Sequence, residues 1–121
     1  MDHLRIVALR YGGPEVLETV VEPIPLPRPG EARVRTQAMG VAFADLHLRR
    51  GLYPGGPTPP FTPGYDLIGV VDALGGGVRE PAPGTRVAAL TVTGGYAEHV
   101  CVKARDLVPI PASLDAAEAA C

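Results

Sequence analysis

Apolar and polar residues alternate along several short stretches of this chain, the mark of half-buried β-strands. The clearest alternation runs from Glu31 to Val41, where Val34, Thr36 and Ala38 stand against Arg33, Arg35 and Gln37. Further strands are expected at His3 to Leu9, Val16 to Glu22, Leu67 to Ala73, Arg86 to Val92 and Tyr96 to Lys103. Between them lie Tyr11-Gly12-Gly13-Pro14, Gly75-Gly76-Gly77 and Pro81-Ala82-Pro83-Gly84, which read as turns. The proline-rich stretch from Pro23 to Gly30 lacks the N–H groups a central strand needs and reads as an extended surface connection. The period changes at Phe43 to Gly51, which predicts a helix of about two turns closed by Gly51. A Pro/Gly-rich loop follows from Tyr53 to Gly64. Ser113 is a good N-cap, with Asp115 and Glu118 suited to a helix N-terminus, so a second helix is expected to start just before Cys121. The chain is thus mainly β, with one short internal helix and a C-terminal helix start; periodicity fits a small barrel or a sandwich.

Composition narrows the class. The 121 residues make one domain the natural expectation, with 46% hydrophobic and 20% charged residues as in ordinary globular proteins. The 15 glycines and 14 prolines fit many short strands joined by sharp turns. A net charge of −2 with interspersed signs gives nothing to attract a polyanion, so no nucleic-acid partner is expected. No apolar run is long enough to span a bilayer, and Met1 to Arg5 leads directly into a strand-like run rather than a signal peptide. Cys101 and Cys121 form neither a spaced metal pair nor a disulfide framework, which favours a cytoplasmic, reducing compartment and inert core thiols.

Several chemical motifs are missing. Gly75-Gly76-Gly77 lacks the later glycine of G-x-G-x-x-G and leads into Pro81 rather than a helix. No P-loop and no G-x-S-x-G nucleophile setting occurs. His3, His47 and His99 are far apart in sequence and no C-x-x-C exists, so no metal site is expected.

From Gly40 the sequence becomes specific. Gly40-Val41-Ala42-Phe43-Ala44-Asp45-Leu46-His47-Leu48-Arg49-Arg50-Gly51-Leu52-Tyr53-Pro54 resembles the medium-chain dehydrogenase/reductase superfamily, above all the quinone oxidoreductases, whose stretch reads G-x-N-F-x-D-x-x-x-R-x-G-x-Y-P. In the same order, Tyr11 to Leu17 resembles the family's opening hairpin, and Pro63-Gly64-Tyr65-Asp66 stands where alcohol dehydrogenases have P-G-H-E. Pro83-Gly84-Thr85-Arg86-Val87, Gly94-Gly95-Tyr96-Ala97-Glu98 and Ser113 to Ala120 match later family motifs. The resemblance covers nearly the whole chain. It implies a GroES-like, partly open β-barrel, the substrate-side domain of a two-domain enzyme. The Rossmann domain that follows in the family is absent from residues 1–121 and is expected after residue 121 or on another chain.

The resemblance also assigns roles. Zinc-dependent members carry a cysteine at Ala42, a histidine at Tyr65 and a glutamate at Asp66; Ala42 offers no ligand atom and Tyr65 a poor one, so a zinc-independent member is implied. Carbonyl reduction then needs hydride from a nicotinamide, donors for the developing negative charge, and a proton source. The implied catalytic residues are His47, at a proton-relay position whose partner is replaced by Ala44, with Tyr53 at a cleft-lining position and Tyr65. Phe43, Ala42 and Asp45 are expected along the substrate cleft, Phe43 as an apolar wall and Asp45 as a helix cap or a partner of Arg49. Asparagine stands at Ala42 in many quinone oxidoreductases, so that contact is lost or moved.

The expected activity is NAD(P)H-dependent reduction of a quinone, enone or related carbonyl compound. The resemblance favours NADPH over NADH, with the cofactor held mostly by the missing domain and the isolated chain inactive. Other readings are a non-catalytic binding module or remnant, and an enoyl-reductase domain of polyketide-synthase type, against which the Met1 start counts. A co-chaperonin ring subunit shares the barrel, but no long mobile apolar loop occurs early in the chain. The bare face that would meet a Rossmann domain predicts a homodimer.

Overall fold

A computed structural model describes residues 1–121. β1 (Asp2–Ala8) and β2 (Leu17–Pro23) form a two-stranded antiparallel ribbon, with Leu4 opposite Val21 and Ile6 opposite Thr19. β3 (Glu31–Ala38), β4 (Asp66–Leu74), β5 (Arg86–Leu90), β6 (His99–Lys103) and β7 (Val108–Pro109) form an antiparallel sheet in the order β6-β3-β4-β5-β7. The ribbon does not stand apart. Bridges from Arg5 to Ala97 and from Ala8 to Phe61 lay β1 against two loop segments that flank the large sheet. This is the expected partly open barrel.

The alternation in β3 has the expected meaning: Ala32 and Val34 are fully buried while Arg35 and Gln37 face solvent. These residues join Leu67, Val71, Val87, Ala89, Ala104 and Leu107 in the main core. A second, smaller core of Ala8, Val16, Leu48 and Phe61 lies under the one substantial helix, α1 (Phe43–Arg50). Eight residues are too few to hold a helix by themselves, so α1 depends on this packing and on its caps.

Several boundaries differ from expectation, each for a physical reason. Val16 closes a 3₁₀ turn, Pro14–Val16, and β2 begins one residue later. β3 ends at Ala38 because a bulge at Thr36/Ala38 breaks the ladder. β5 ends at Leu90, and Val92 lies in the left-handed region at φ 65°, where a strand cannot continue. Tyr96 to Glu98 do not extend β6; their backbone pairs with β1 instead, through Ile6 N–H to Tyr96 O at 2.8 Å and Glu98 N–H to Leu4 O at 3.0 Å. The cap of the last helix, α2 (Ala116–Ala119), is Asp115 and not Ser113: its carboxylate accepts the Glu118 N–H at 3.2 Å. The two cysteines also part company. Cys101 is half-buried, with burial pushing its thiol pKa up, whereas Cys121 is exposed and is no core residue. No helix is long and apolar enough to cross a membrane.

The Gly75-Gly76-Gly77 stretch is the turn the sequence suggests, and its glycines are not equivalent. Gly75 lies against the Arg28 and Glu31 carbonyls, with its own N–H donated to Glu31 O at 2.7 Å, so a methyl group there meets backbone. Gly76 has only Pro29 nearby, at 3.8 Å or more. Gly75→Ala is therefore expected to lower the unfolding free energy by about 2 kcal/mol or more, and Gly76→Ala to change it by under about 0.5 kcal/mol, as read from urea denaturation midpoints.

Candidate functional site

The residues singled out by sequence gather on α1 and on two segments that α1 organises. Ala42 is the N-cap of α1, with extended backbone (φ −91°, ψ 159°) and a methyl group that accepts nothing. Asp45, three residues on, supplies the missing polar contact by reaching back to the Ala42 N–H at 2.9 Å. At the other end Gly51 takes the left-handed conformation (φ 77°) that closes the helix, and Leu52 N–H returns to His47 O at 2.8 Å. Leu48 anchors the helix in the smaller core. Arg49 ties it to the first turn: its Nε donates to Gly12 O at 3.1 Å, and Gly12 N–H donates to Arg49 O at 2.9 Å.

Asp45 has a larger role than a cap. It is only 3% exposed, and its carboxylate also accepts the Gly64 N–H at 3.2 Å and the Tyr96 hydroxyl at 3.1 Å. The alternative of an Asp45–Arg49 pair is not what forms, since the Arg49 Nε is directed to Gly12. Burial, followed by the Asp45 charge, pushes the Tyr96 phenol well above its ordinary pKa, so it remains a donor throughout the physiological range. Asp45 is thus a buried strut joining three segments. A cavity of about 160 Å³ lies beside it, lined by Leu17, Val41, Leu46, Arg49 and Tyr96 among others.

The strut fixes the residue that follows Gly64. Tyr65 has its carbonyl held by the N–H groups of Thr91 (2.7 Å) and Val92 (3.1 Å), while the Thr91 hydroxyl donates to Gly64 O at 2.5 Å. Gly64 has φ 121° and stacks so closely on Gly95 and Tyr96 that no side chain fits there. The left-handed Val92 is part of the same clamp, an instance of backbone strain held in place beside a candidate site.

Tyr53 and Tyr65 are each half-buried, and the Tyr53 phenol raises the Tyr65 pKa above its ordinary value. A phenol pair of this kind is protonated at neutral pH. One hydroxyl can donate to the other and leave a directed O–H for an oxygen outside the pair. Phe43 and His47 form the second pair, their rings stacked at 27° with centroids 6.2 Å apart. Both are exposed, Phe43 at 80%, so Phe43 is an outward-facing aromatic surface and not yet a wall. The largest cleft, about 520 Å³, lies elsewhere, between β4, β5 and α2, and includes Asp66, Ile68, Leu90 and Ala120.

Sequence reading missed the role of Tyr96. Its signal was present, since a tyrosine in an apolar strand-turn setting needs a buried partner for its hydroxyl. It also missed the part played by Asp66, whose carboxylate accepts the Gly40 N–H at 2.9 Å.

Residues around the proposed zinc-ligand positions do not suit a metal. Ala42 has no donor atom, the Asp66 oxygen is engaged by Gly40, and no group of three or more His, Cys, Asp or Glu side chains is placed to hold an ion. The chain also presents no phosphate cradle of the strand-turn-helix kind, because the triple-glycine turn connects β4 to a β-turn region before β5.

Comparison with known proteins agrees with this architecture. Residues 28–112 match the alcohol dehydrogenase GroES-like domain family. A quinone oxidoreductase from Pongo abelii is 36% identical over 107 residues, which is 87% of this chain and 32% of the relative. The crystal structure of the human synaptic vesicle membrane protein VAT-1 homolog-like protein superposes with a TM-score of 0.93 at 33% identity, covering 99% of this chain and 39% of that one. The quinone oxidoreductase of Thermus thermophilus, solved alone and with NADPH, gives a TM-score of 0.82 at 40% identity, over 97% of this chain and 35% of that one. The chain spans about a third of the length of the curated relatives it matches.

The strut can be tested on its own. Asp45→Ala strands three donors and is expected to cost about 3 kcal/mol or more in a denaturation series, whereas Tyr96→Phe removes one of them and should cost about 1 kcal/mol.

Proposed function

The chain belongs to the alcohol dehydrogenase GroES-like domain family, within the quinone oxidoreductase type of medium-chain dehydrogenases/reductases, and on that basis we propose that it is the acceptor-side domain of a zinc-independent NAD(P)H-dependent reductase of quinones, enones or related carbonyl compounds. The observation that carries this reading is Tyr65, which stands where the zinc-dependent members of the superfamily carry a ligand histidine and whose phenol is influenced by that of Tyr53. A carbonyl oxygen that gains negative charge needs a donor directed at it, and a phenol, protonated at neutral pH, is such a donor. Phe43 and His47 add a flat aromatic face on which a planar acceptor can lie. In this reading His47, exposed to solvent, takes a proton from water and delivers it to the reduced acceptor, with no buried relay behind it.

These residues hold the acceptor and not the hydride donor. The sequence contains no strand–G-x-G-x-x-G–helix turn, so in this reading the cofactor is held by a Rossmann domain on the same or another chain, which brings the nicotinamide to the acceptor, and the isolated chain is inactive. NADPH is the preferred donor, supported by relatives solved with it. The free thiols of Cys101 and Cys121 suit a cytoplasmic setting. The exposed apolar side chains of Val41, Phe43, Leu52 and Leu90 favour a homodimer of the isolated chain, which a monomer in light scattering at high concentration would contradict.

In a protein completed by its dinucleotide-binding domain, NADPH consumption with a naphthoquinone should be unaffected by a metal chelator. Tyr65→Phe and Tyr53→Phe should each lower kcat/KM by about tenfold to a hundredfold while leaving NADPH binding unchanged. Loss of activity on chelation, or full activity in both variants, removes the phenol-pair reading.

A further inference from the structure

Two histidines that the cleft does not use, far apart in sequence, meet where the β1–β2 ribbon crosses the large sheet. The rings of His3 and His99 stand edge to face, with centroids 5.6 Å apart and planes at 68°. His3 Nδ1 accepts the His99 backbone N–H at 3.3 Å, a bond that ties β1 to β6. Behind each imidazole stands a carboxylate, and behind each carboxylate an arginine. His3 Nε2 lies 3.4 Å from Glu22, which receives the Arg5 Nε at 2.6 Å; His99 Nε2 lies 3.6 Å from Asp72, which receives the Arg33 Nε at 2.8 Å. One Arg–carboxylate–His set belongs to the ribbon and the other to the sheet.

The tautomers follow from these contacts. Because His3 Nδ1 accepts a backbone N–H, the neutral ring carries its proton on Nε2, which is buried 3.4 Å from Glu22 without a hydrogen bond to it. His99 directs Nε2 toward Asp72, and its Nδ1 is buried with no partner. A second proton on His3 would occupy Nδ1 and turn the acceptor of the joining bond into a donor aimed at another N–H. A second proton on His99 would place a donor at a buried position with nothing to receive it. Only the neutral pair fits the joint.

We propose that His3 and His99 form a proton-sensitive clasp that fastens the β1–β2 ribbon to the five-stranded sheet when both rings are neutral and releases it on acidification. The charged groups around the pair are Arg5 on β1, Glu22 on β2, Arg33 and Arg35 on β3, Asp72 on β4 and Glu98 just before β6. Burial is the largest influence on His99 and lowers its pKa; Asp72 and Glu98 oppose this, and Arg33 and His3 reinforce it. A base whose folded pKa is lowered stabilises the fold above its unfolded value of about 6.5 and loses that contribution as the pH falls below it. Glu22, held low chiefly by Arg5, keeps its contribution until the pH falls below its ordinary value of 4.5. Loosening between these two values therefore belongs to His99. Since β1 also pairs with Tyr96 and Glu98, release of the ribbon reaches the segment that holds Asp45.

Amide hydrogen exchange on the 121-residue chain at about pH 7.5 and about pH 5.5, corrected for intrinsic rates, reads the clasp directly. The amides of Leu4, Ile6, Glu98 and His99 should lose about tenfold more protection than those of the β3–β4 ladder. His3→Asn combined with His99→Gln, which removes both titrating rings and keeps an oxygen acceptor at position 3, should abolish the difference. Equal loss in ribbon and sheet, or the wild-type response in that double variant, overturns the proposal. Should the variant not fold, the wild-type imidazole resonances decide: titration of His99 with a midpoint below 6.5, in step with the loss of protection, is expected, and loss of protection without imidazole titration overturns it.

Discussion

The carboxylate of Asp45 holds together three stretches that would otherwise be independent: the entry to α1 at Ala42, the turn at Gly64 and the strand-like segment at Tyr96. A buried charge without partners is costly, so the three donors must stay in place for the fold to tolerate it. That requirement is what orders the candidate site. With Gly64 fixed, Tyr65 has one position, clamped from the other side by Thr91 and Val92. With Ala42 fixed, α1 starts at Phe43, and one turn later His47 falls over Phe43. The aromatic groups proposed to meet a substrate are thus set by a residue that does not itself face it.

The same segment ties the site to the rest of the barrel. Tyr96 and Glu98 are neighbours in sequence of the β6 strand yet pair with β1. The ribbon, the His3–His99 joint, the Tyr96 hydroxyl and Asp45 therefore form one continuous line from the edge of the fold to the cleft. Packing supplies most of the stability through the Val34, Leu67, Val71 and Val87 core, and this polar line supplies registration between the two sheets.

Much of this was legible in the sequence, because period and turn chemistry report local structure. The alternation from Arg33 to Gln37 and the Gly51 stop on α1 translated directly into β3 and the helix cap. The resemblance beginning at Gly40 gave the barrel. What local pattern could not report was partnership over long separation. Tyr96 and Asp45 are 51 residues apart, and His3 and His99 are 96 apart. Nothing in the period around either shows that they meet. Asp45 reads as a helix cap or a partner of Arg49 because those spacings are local, whereas its burial depends on Gly64 and Tyr96. The ends of β5 and β6 shifted for a similar reason: the left-handed turn at Val92 and the pairing of Tyr96 to Glu98 with β1 override the alternation.

The proposed reaction depends on the phenols of Tyr53 and Tyr65 acting as one hydrogen-bonding unit. The direct measurement is a double-mutant cycle, Tyr53→Phe with Tyr65→Phe, on kcat/KM for a naphthoquinone in the protein completed by its cofactor-binding domain. If the phenols form a unit, the double variant loses about as much as the more damaging single variant. Losses that simply multiply would show two independent tyrosines and contradict a paired phenol site.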